Sequence, residues 1–195
     1  MTSYLVRPIW VAMLFSWVLL GCEKSPTVGQ SLSGDLVVHI GASAPLTGPQ
    51  AHLGKDNENG TRMAIDDANA KGIIIGGRKV HFELISEDDQ ADPKTATIVA
   101  QKLVDNKVSG VIGHLNSGTS IPAAKIYSDN VIPQISPSAT AVAYTTQGYK
   151  TAFRVMANDA QQGRVLGEYA AKNLAARKIA VIDDRSAYGQ GLAML

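Results

Sequence analysis

Two short polar segments carry the residue types that could hold a small anion. His114–Ser120 reads His-Leu-Asn-Ser-Gly-Thr-Ser, and Ser136–Thr140 reads Ser-Pro-Ser-Ala-Thr. Each follows a short apolar run that predicts a strand, over 110–113 and over 131–135. In a parallel α/β sheet both segments would lie at the carboxyl ends of strands, where such sheets bind ligands. Hydroxyl groups and backbone N–H groups at a helix start suit a carboxylate, so the two segments predict a site for a small molecule.

Other polar residues give no sign of catalysis. His114 could act as a general base, but no nucleophile or carboxylate partner can be identified, so a structural histidine bonded to neighbouring backbone is favoured. His39 lies inside a predicted strand and is interpreted as a packed residue. Glu87–Asp89 lacks the spacing of an EF-hand loop and is interpreted as a solvent-facing loop that caps a helix. Asp183–Arg185 could line a cleft or form a surface ion pair. No catalytic residue and no metal ligand is predicted.

Cofactor and nucleic-acid signatures are also missing from the sequence. It contains no Gly-x-Gly-x-x-Gly, no Walker-type Gly-Lys-Ser/Thr and no Gly-x-Ser-x-Gly, which argues against a nucleotide cofactor and against a hydrolase nucleophile. The formal net charge is +1, and no basic face interleaved with aromatic residues predicts nucleic-acid binding. An enzyme on a Rossmann-like fold therefore has no support in these motifs, and no cofactor is predicted.

The N-terminus has the pattern of a bacterial lipoprotein leader. Arg7 precedes the largely apolar run Pro8–Leu20, which is shorter than the roughly 20 residues that span a bilayer but fits a signal peptide. The run ends in Leu-Leu-Gly before Cys22, the only cysteine, and this resembles a lipobox. We expect a signal peptide over 1–21, acylation of Cys22 and a lipid-anchored tether over 22–34. An uncleaved anchor with a chance cysteine, followed by a disordered segment, is the alternative.

The rest of the chain alternates apolar runs with helical spacings. A helix start is marked by Asp92 as N-cap and Pro93 as first helical residue, and Gly72 is a helix stop. The alternation predicts βαβ units, and hence an α/β fold with a Rossmann-like parallel sheet and helices on both faces. A last helix beginning at Gly189 has no C-terminal cap, which predicts an N-terminal fragment of a longer protein. Further strands are predicted at 35–41, 79–86, 152–155 and 178–183, and further helices at 54–70, 120–129 and 159–173.

Four motifs in a fixed order carry a family resemblance. They are Ala44–Pro49, Asp88–Lys94, Val111–Leu115 and Ser136–Thr140, and they are extended by Arg154, 162–163 and 188–191. Together they resemble the branched-chain amino acid (leucine/isoleucine/valine) substrate-binding proteins of bacterial ABC transporters. The resemblance implies a type I periplasmic binding protein fold with two lobes around a cleft, lobe one over 35–155 and the truncated start of lobe two over 156–195.

The resemblance also implies roles for single residues. The family's serine and threonine that hold the ligand α-carboxylate match Ser117 and Thr140, which without the resemblance could equally be a capping serine and a turn threonine. The backbone carbonyl that takes the ammonium matches Ser138, and the tyrosine that closes from lobe two matches Tyr188. The acidic partner of the ammonium falls after the last residue of this sequence. The implied ligand-binding residues are Leu115, Asn116, Ser117, Ser138, Ala139, Thr140 and Tyr188.

One position departs from the family pattern. Leu53 precedes Gly54 where amino-acid binders often carry a tyrosine, which weakens an assignment of branched-chain specificity. The implied function is an extracytoplasmic, membrane-anchored lipoprotein of the periplasm that closes its two lobes on an amino acid and delivers it to ABC permease subunits. The alternative is a ligand-sensing receptor domain of the same fold for amides, urea or aromatic acids, because the fold alone does not decide function.

Overall fold

A computed structural model of the chain describes residues 34–195. The predicted signal peptide, Cys22 and nearly all of the predicted tether lie outside the described residues. The strands are β1 (Leu36–Ala44), β2 (Ile74–Ile75), β3 (Arg78–Asp88), β4 (Gly110–Gly113), β5 (Gln134–Ser136) and β6 (Ala152–Arg154). The helices are α1 (Ala51–Lys71), α2 (Pro93–Asp105), α3 (Ser117–Asp129), α4 (Val142–Thr146), α5 (Asp159–Lys172) and α6 (Ala187–Ala193).

The six strands form one sheet in the order β2-β3-β1-β4-β5-β6. Strand β1 pairs in parallel with β3 and β4, and β5 continues the parallel pairing from β4 to β6. The parallel α/β prediction is therefore confirmed, with one addition at the edge. Strand β2 runs antiparallel to β3, because Gly76 and Gly77 take φ values of 58° and 79° and so close a tight two-residue turn.

Buried apolar residues of helices α2 and α3 form the main core against the sheet. Leu103 and Tyr127 are fully buried beside Val111 of β4. A smaller cluster joins Tyr144 of α4 to Ala139 and Ala152. Helix α1 packs on β1 and β3. Its first turn also approaches the loop after β1, and this approach requires Gly54, since an added Cβ there would overlap the backbone carbonyl of Pro45.

The predicted helix signals are confirmed. Asp92 is the N-cap of α2, accepting from Thr95 N at 2.7 Å, and Pro93 follows it. Gly72 ends α1 in the left-handed region at φ 64°. Helix α3 begins three residues before the prediction, at Ser117, so its N-cap residue is Asn116. The short helix α4 was not predicted.

The strand predicted over 131–135 begins too early. Val131 has φ 57° and is 80% exposed. It belongs to the turn that closes α3, where Ile132 N donates to Tyr127 O at 2.9 Å. Such turns satisfy the last carbonyls of a helix, so β5 starts only at Gln134. His39 also differs from the prediction of a packed residue: its Nε2 lies 3.3 Å from Glu83 Oε2, and its side chain is 37% exposed.

The strand predicted over 178–183 is wrong. Ile179, Val181 and Ile182 are 60%, 67% and 92% exposed, and no described strand lies beside them. A strand needs a neighbour to pair its backbone N–H and C=O groups, so this β-branched run stays irregular. Helix α6 begins two residues before the prediction, with Ser186 Oγ accepting from Gly189 N at 2.9 Å. Across residues 34–195, none of the helices has both the length and the apolar character of a membrane span.

Candidate functional site

A cleft of about 780 Å³ lies where the loops after the parallel strands meet. The start of α1, the loop before α2, the start of α3, the loop after β5 and the segment before α6 all contribute to its wall. Among the residues predicted to bind a ligand, those that line it are Leu115, Asn116, Ser117, Ser138, Thr140 and Tyr188. Ala139 does not line it, because its side chain is fully buried in the cluster around Tyr144.

Ser117 links the two polar segments. It is the first residue of α3 and 2% exposed, and its Oγ accepts from Ala141 N at 3.1 Å. It is therefore not the capping serine of the alternative interpretation. The first N–H groups of a helix have no partner within the helix, so the start of α3 brings unpaired donors to the wall of the cleft.

Thr140 presents an unsatisfied hydroxyl. Its Oγ1 is buried and has no hydrogen-bond partner within the described residues, although the residue lines the cleft. Its carbonyl is engaged, accepting from Asp159 N at 2.9 Å. A buried hydroxyl without a partner costs about 1–3 kcal/mol, so Thr140 Oγ1 is a group that a bound ligand would stabilise.

Arg154 holds the loop on both sides of Thr140. Its Nη1 donates to Ala139 O at 3.1 Å, and its Nη2 donates to Ala141 O at 3.0 Å. The guanidinium also lies 5.6 Å from the centre of the Tyr144 ring. Burial lowers the pKa of Arg154, while the nearby Tyr144 and Asp159 act in the opposite direction. The planar, multidentate guanidinium fixes two carbonyls at once, which holds the backbone of Thr140 in place.

The loops after β4 and β5 are also tied directly to each other. Ser136 Oγ donates to His114 O at 2.7 Å and accepts from Ala139 N at 2.9 Å. Ser138 Oγ donates to Leu115 O. These bonds leave few backbone groups of either loop unconstrained, so the cleft wall is held in shape before any ligand enters.

The interpretation of the acidic loop at 87–89 as solvent-facing is wrong for Asp89. Asp89 is fully buried, and its Oδ2 lies 2.7 Å from His114 Nδ1. Asp88 behaves as a loop cap: although burial acts to raise its pKa, hydrogen bonds from Thr47, Gln90 and Leu46 hold that pKa below its usual range. The turn formed by 88–89 therefore packs into the protein and anchors the chain around it.

The ring of His114 bonds to side chains, where backbone partners were predicted. Ser43 Oγ lies 3.0 Å from Nδ1, the same nitrogen that meets Asp89, and Tyr127 OH lies 3.1 Å from Nε2. In serine hydrolases the serine and the carboxylate bond to opposite ring nitrogens. Here they share one nitrogen and all three are buried, which is not the arrangement of a catalytic triad. Within residues 34–195 no three His, Cys, Asp or Glu side chains gather as a metal site would need.

Comparison with known proteins identifies the fold family. Residues 37–194 match the family described as periplasmic binding protein. The chain belongs to the periplasmic binding protein family. The curated protein named Leu/Ile/Val-binding protein homolog 1 of Brucella abortus is 43% identical to it over 180 residues, which make up 92% of this chain and 47% of that protein. The chain spans about half the length of the curated relatives it matches.

Solved structures of periplasmic binding proteins agree with this assignment. The branched-chain amino acid transporter substrate-binding protein LivJ of Streptococcus pneumoniae, in complex with isoleucine, has a TM-score of 0.73 at 31% identity, covering 81% of this chain and 45% of that one. A solute-binding protein of Rhodopseudomonas palustris, in complex with 3,4-dihydroxybenzoic acid, has a TM-score of 0.60 at 29% identity, covering 70% and 36%. The predicted type I periplasmic binding protein fold is confirmed.

One cleft residue of this periplasmic binding protein, Gln50, was not found from the sequence. Gln50 lines the cleft, where its Oε1 accepts from Asn116 Nδ2 at 2.8 Å. Asp184 and Arg185 also line it, which favours the cleft interpretation of that segment over a surface ion pair. Gln50 precedes a predicted helix by several residues and has no periodic signal. Its position just after Gly48-Pro49, at the end of the first strand's loop, was the available indication.

The burial of the Asp159 carboxylate was also not predicted from the sequence. Asp159 is 1% exposed, and neither carboxylate oxygen has a hydrogen-bond partner within residues 34–195. It stands at the start of α5, directly after the N-cap Asn158. The sequence shows a polar pair at a helix start, which is an ordinary capping pattern, and only the tertiary structure places the carboxylate in the interior beside the Thr140 loop.

Proposed function

We propose that this chain forms part of an extracytoplasmic receptor for amino acids, branched-chain or related, that serves an ABC transporter. The observation that carries the proposal is the buried, unpartnered Oγ1 of Thr140 at the cleft wall, next to the start of α3. A ligand carboxylate would satisfy this hydroxyl, and helix starts favour anions. The names of the relatives, which refer to leucine, isoleucine and valine, support an amino acid as the ligand.

In this proposal the two ends of the amino acid bind different groups. Ser117 and Thr140 hold the α-carboxylate, and the carbonyl of Ser138 accepts from the ammonium. Backbone at Leu115 and Asn116 lines the pocket, and Ala139 contributes through its backbone alone, because its side chain is buried elsewhere. Hydrogen bonds to a charged ligand group contribute roughly 1.5–3 kcal/mol each. These contacts therefore account for most of the affinity expected from this side of the cleft.

Closure of two lobes completes the proposed mechanism. Residues 35–155 would form lobe one and residues from 156 onward would begin lobe two, with Tyr188 closing over the ligand. Tyr188 is 38% exposed, and its OH accepts from Gln162 Nε2 at 3.2 Å, so it has room to move towards a ligand. A ligand that touches both lobes stabilises the closed state by its additional contacts there.

The proposal includes a cellular setting. Acylation of Cys22 would anchor the protein at the membrane on its extracytoplasmic side, ABC permease subunits would take over the ligand, and the protein would perform no chemistry on it. Labelling of growing cells with radioactive palmitate tests the anchor: the unchanged protein takes up label and Cys22→Ser does not. Equal labelling of both would rule out the lipid anchor while leaving the ligand site untouched.

Calorimetry on the intact protein tests the binding site itself. Ser117→Ala and Thr140→Ala should each weaken L-leucine binding by about tenfold or more, since each removes a bond to a charged group. Thr146→Ala is the matched control, because its Oγ1 bonds within α4 to Val142 O at 3.1 Å and does not line the cleft. Unchanged affinity in both site variants would remove these residues from the ligand site.

A receptor for aromatic acids is the second candidate, favoured by one observation. Leu53 is 48% exposed at the cleft, at a position where a tyrosine would leave less space for a ligand side chain. Three titrants separate the candidates: L-leucine, 4-methylpentanoate, which is leucine without its ammonium, and 3,4-dihydroxybenzoate. An amino-acid receptor binds leucine far more tightly than the other two, whereas tightest binding of dihydroxybenzoate would favour the aromatic-acid receptor.

A further inference from the structure

A buried polar cluster underlies the cleft without opening into it. Its members are Ser43, Asp89, His114 and Tyr127, each no more than 1% exposed, and none of them lines the cleft. They come from the end of β1, the residue after β3, the residue after β4 and the last turn of α3. A buried charge is costly unless it is paired and hydrogen-bonded, so the cluster needs an account beyond ordinary core packing.

The hydrogen bonds of the cluster assign the protons. Burial raises the pKa of Tyr127, and the charge of Asp89 adds to that effect, so the phenol keeps its proton and can donate to His114 Nε2 at 3.1 Å. The proton of the imidazole then sits on Nδ1, from which it is donated to Asp89 Oδ2 at 2.7 Å. Ser43 Oγ adds a second contact to the same carboxylate oxygen at 3.3 Å. Every ring atom of His114 that can hydrogen-bond is engaged.

The backbone of His114 continues directly into the ligand loop. Its carbonyl accepts from Ser120 Oγ at 2.9 Å and from Ser136 Oγ at 2.7 Å. The next three residues of the chain, 115–117, include Ser117, which is proposed to bind the carboxylate of the ligand. Fixing both the ring and the carbonyl of His114 therefore fixes the direction in which the chain enters the start of α3.

Asp89 is itself held from several sides. Its N–H donates to Ala44 O at 3.1 Å, its Oδ1 accepts from Ala91 N at 3.0 Å, and its carbonyl accepts from Asp92 N at 2.9 Å. The carboxylate thus connects the turn that leads into α2 with the ring of His114. Through this ring the carboxylate reaches the base of the loop formed by residues 115–117.

We propose that Asp89 is a positioning residue: acting through His114, it holds residues 115–117 in the geometry that binds the ligand carboxylate. This inference rests on the proposed function for its affinity readout. A purely structural hydrogen bond between Asp89 and His114 would stabilise the fold and leave ligand affinity unchanged. A positioning residue changes affinity by more than its effect on stability would account for, and a conservative replacement restores part of the affinity.

Two buried tyrosines provide a matched comparison. Tyr127 OH bonds to His114 Nε2 at 3.1 Å, and Tyr144 OH donates to Gln134 O at 3.2 Å. Both rings are fully buried, so Tyr127→Phe and Tyr144→Phe each delete one buried hydroxyl. In the intact protein, titrated with L-leucine, we expect Tyr127→Phe to weaken binding by about threefold to tenfold, within the range of one neutral hydrogen bond. Tyr144→Phe should stay within about twofold of the unchanged protein, although both variants lower Tm.

Substitutions of the carboxylate complete the series. Asp89→Ala should weaken leucine binding by at least about tenfold, the loss expected for a charge-assisted hydrogen bond. Asp89→Asn keeps an acceptor oxygen for Nδ1–H and should recover part of that loss. The proposal is overturned if the Asn and Ala variants bind as tightly as the unchanged protein, or if Tyr144→Phe weakens binding as much as Tyr127→Phe does. If the Asp89 variants do not fold, the tyrosine pair alone decides.

Amide hydrogen exchange separates this inference from the proposed function. If the unchanged protein does not bind leucine, the proposed function fails and exchange decides the positioning role. We expect Tyr127→Phe to speed exchange at 115–119 while α2 amides at 99–103 stay slow, and Tyr144→Phe to leave 115–119 unchanged. Exchange that rises evenly across both stretches would show a purely structural cluster and would reject the positioning role.

Discussion

Residues 36–154 and residues 159–195 differ in how far their apolar side chains are buried. In the first region Val111 and Leu103 are no more than 1% exposed and belong to a buried core, because strands and helices cover them. In the second region Val165, Leu166 and Tyr169 of α5 are 49%, 56% and 55% exposed. The contrast shows that an apolar pattern specifies a helix locally but specifies a strand or a core only when the partner elements are present.

Core truncation tests this contrast with the largest expected effect. Leu103→Ala removes a fully buried side chain, so we expect a loss of about 2–5 kcal/mol in the free energy of unfolding. Ile182→Ala removes a side chain that is 92% exposed, and we expect a change within about 0.5 kcal/mol. Urea unfolding followed by circular dichroism measures both. A comparable loss for Ile182→Ala would show that residues 178–183 are buried in solution, and the contrast between the regions would disappear.

A substitution at Asp159, at the junction between the two regions, should have a smaller effect on stability and of opposite sign. Asp159 is buried with both carboxylate oxygens unpartnered among the described residues, and a buried amide costs less than a buried charge. The nearby charge of Arg154 offsets part of that cost, so without ligand Asp159→Asn should stabilise the protein by no more than about 1 kcal/mol. Thermal unfolding measures it, with Asp129→Asn as control, since that carboxylate is exposed and paired with Lys125. A lower Tm for Asp159→Asn would mean that the carboxylate is satisfied in solution.

Acid titration gives the smallest difference between the regions. The pKa of Asp88 is lowered by hydrogen bonds that reach Thr47 and Leu46 in a distant part of the chain, even though burial opposes them. The pKa of Asp184 is lowered by its neighbour Ser186. A carboxyl whose pKa is lowered on folding stabilises the fold above its unfolded value of about 3.9 and loses that contribution as the pH falls through the folded value.

Protonation of Asp88 should therefore reduce global stability below about pH 4, whereas protonation of Asp184 should loosen only the turn before α6. Asp88→Asn should flatten the acid limb of the Tm profile, and Asp184→Asn should leave that profile unchanged. The comparison between regions fails if the two variants alter the profile equally.

Local signals explain which parts of the fold the sequence predicted. The N-cap Asp92, the adjacent Pro93 and the stop at Gly72 act within a few residues, so their helix boundaries were correct. The strand predictions at Val131 and over 178–183 were wrong, because strand formation depends on pairing partners and on how the preceding helix ends. Both carry β-branched residues whose preference for strands is overridden by their surroundings.

The part of the candidate site that could be predicted is the part that lies in the loops directly after strands. Ser117, Ser138 and Thr140 line the cleft because loops after parallel strands meet at one edge of a sheet, and their binding roles stay predictions. Asp89 and Asp159 were not identified, because nothing in their neighbours reveals a buried carboxylate. Burial of a charge is decided by elements far apart in the chain, such as His114, which stands 25 residues from Asp89.

The exposed segment 178–183 has a consequence for how this chain behaves at high concentration. Ile179–Ile182 presents β-branched side chains and backbone groups that no described strand pairs, and such edges recruit strands from other molecules. Arg177 and Lys178 precede the run and Asp183 and Asp184 follow it, with charges of opposite sign at its two ends. Flanking charges of this kind act as gatekeepers against aggregation. These four flanking charges therefore oppose self-association of the segment, and neutralising them should increase aggregation of the chain.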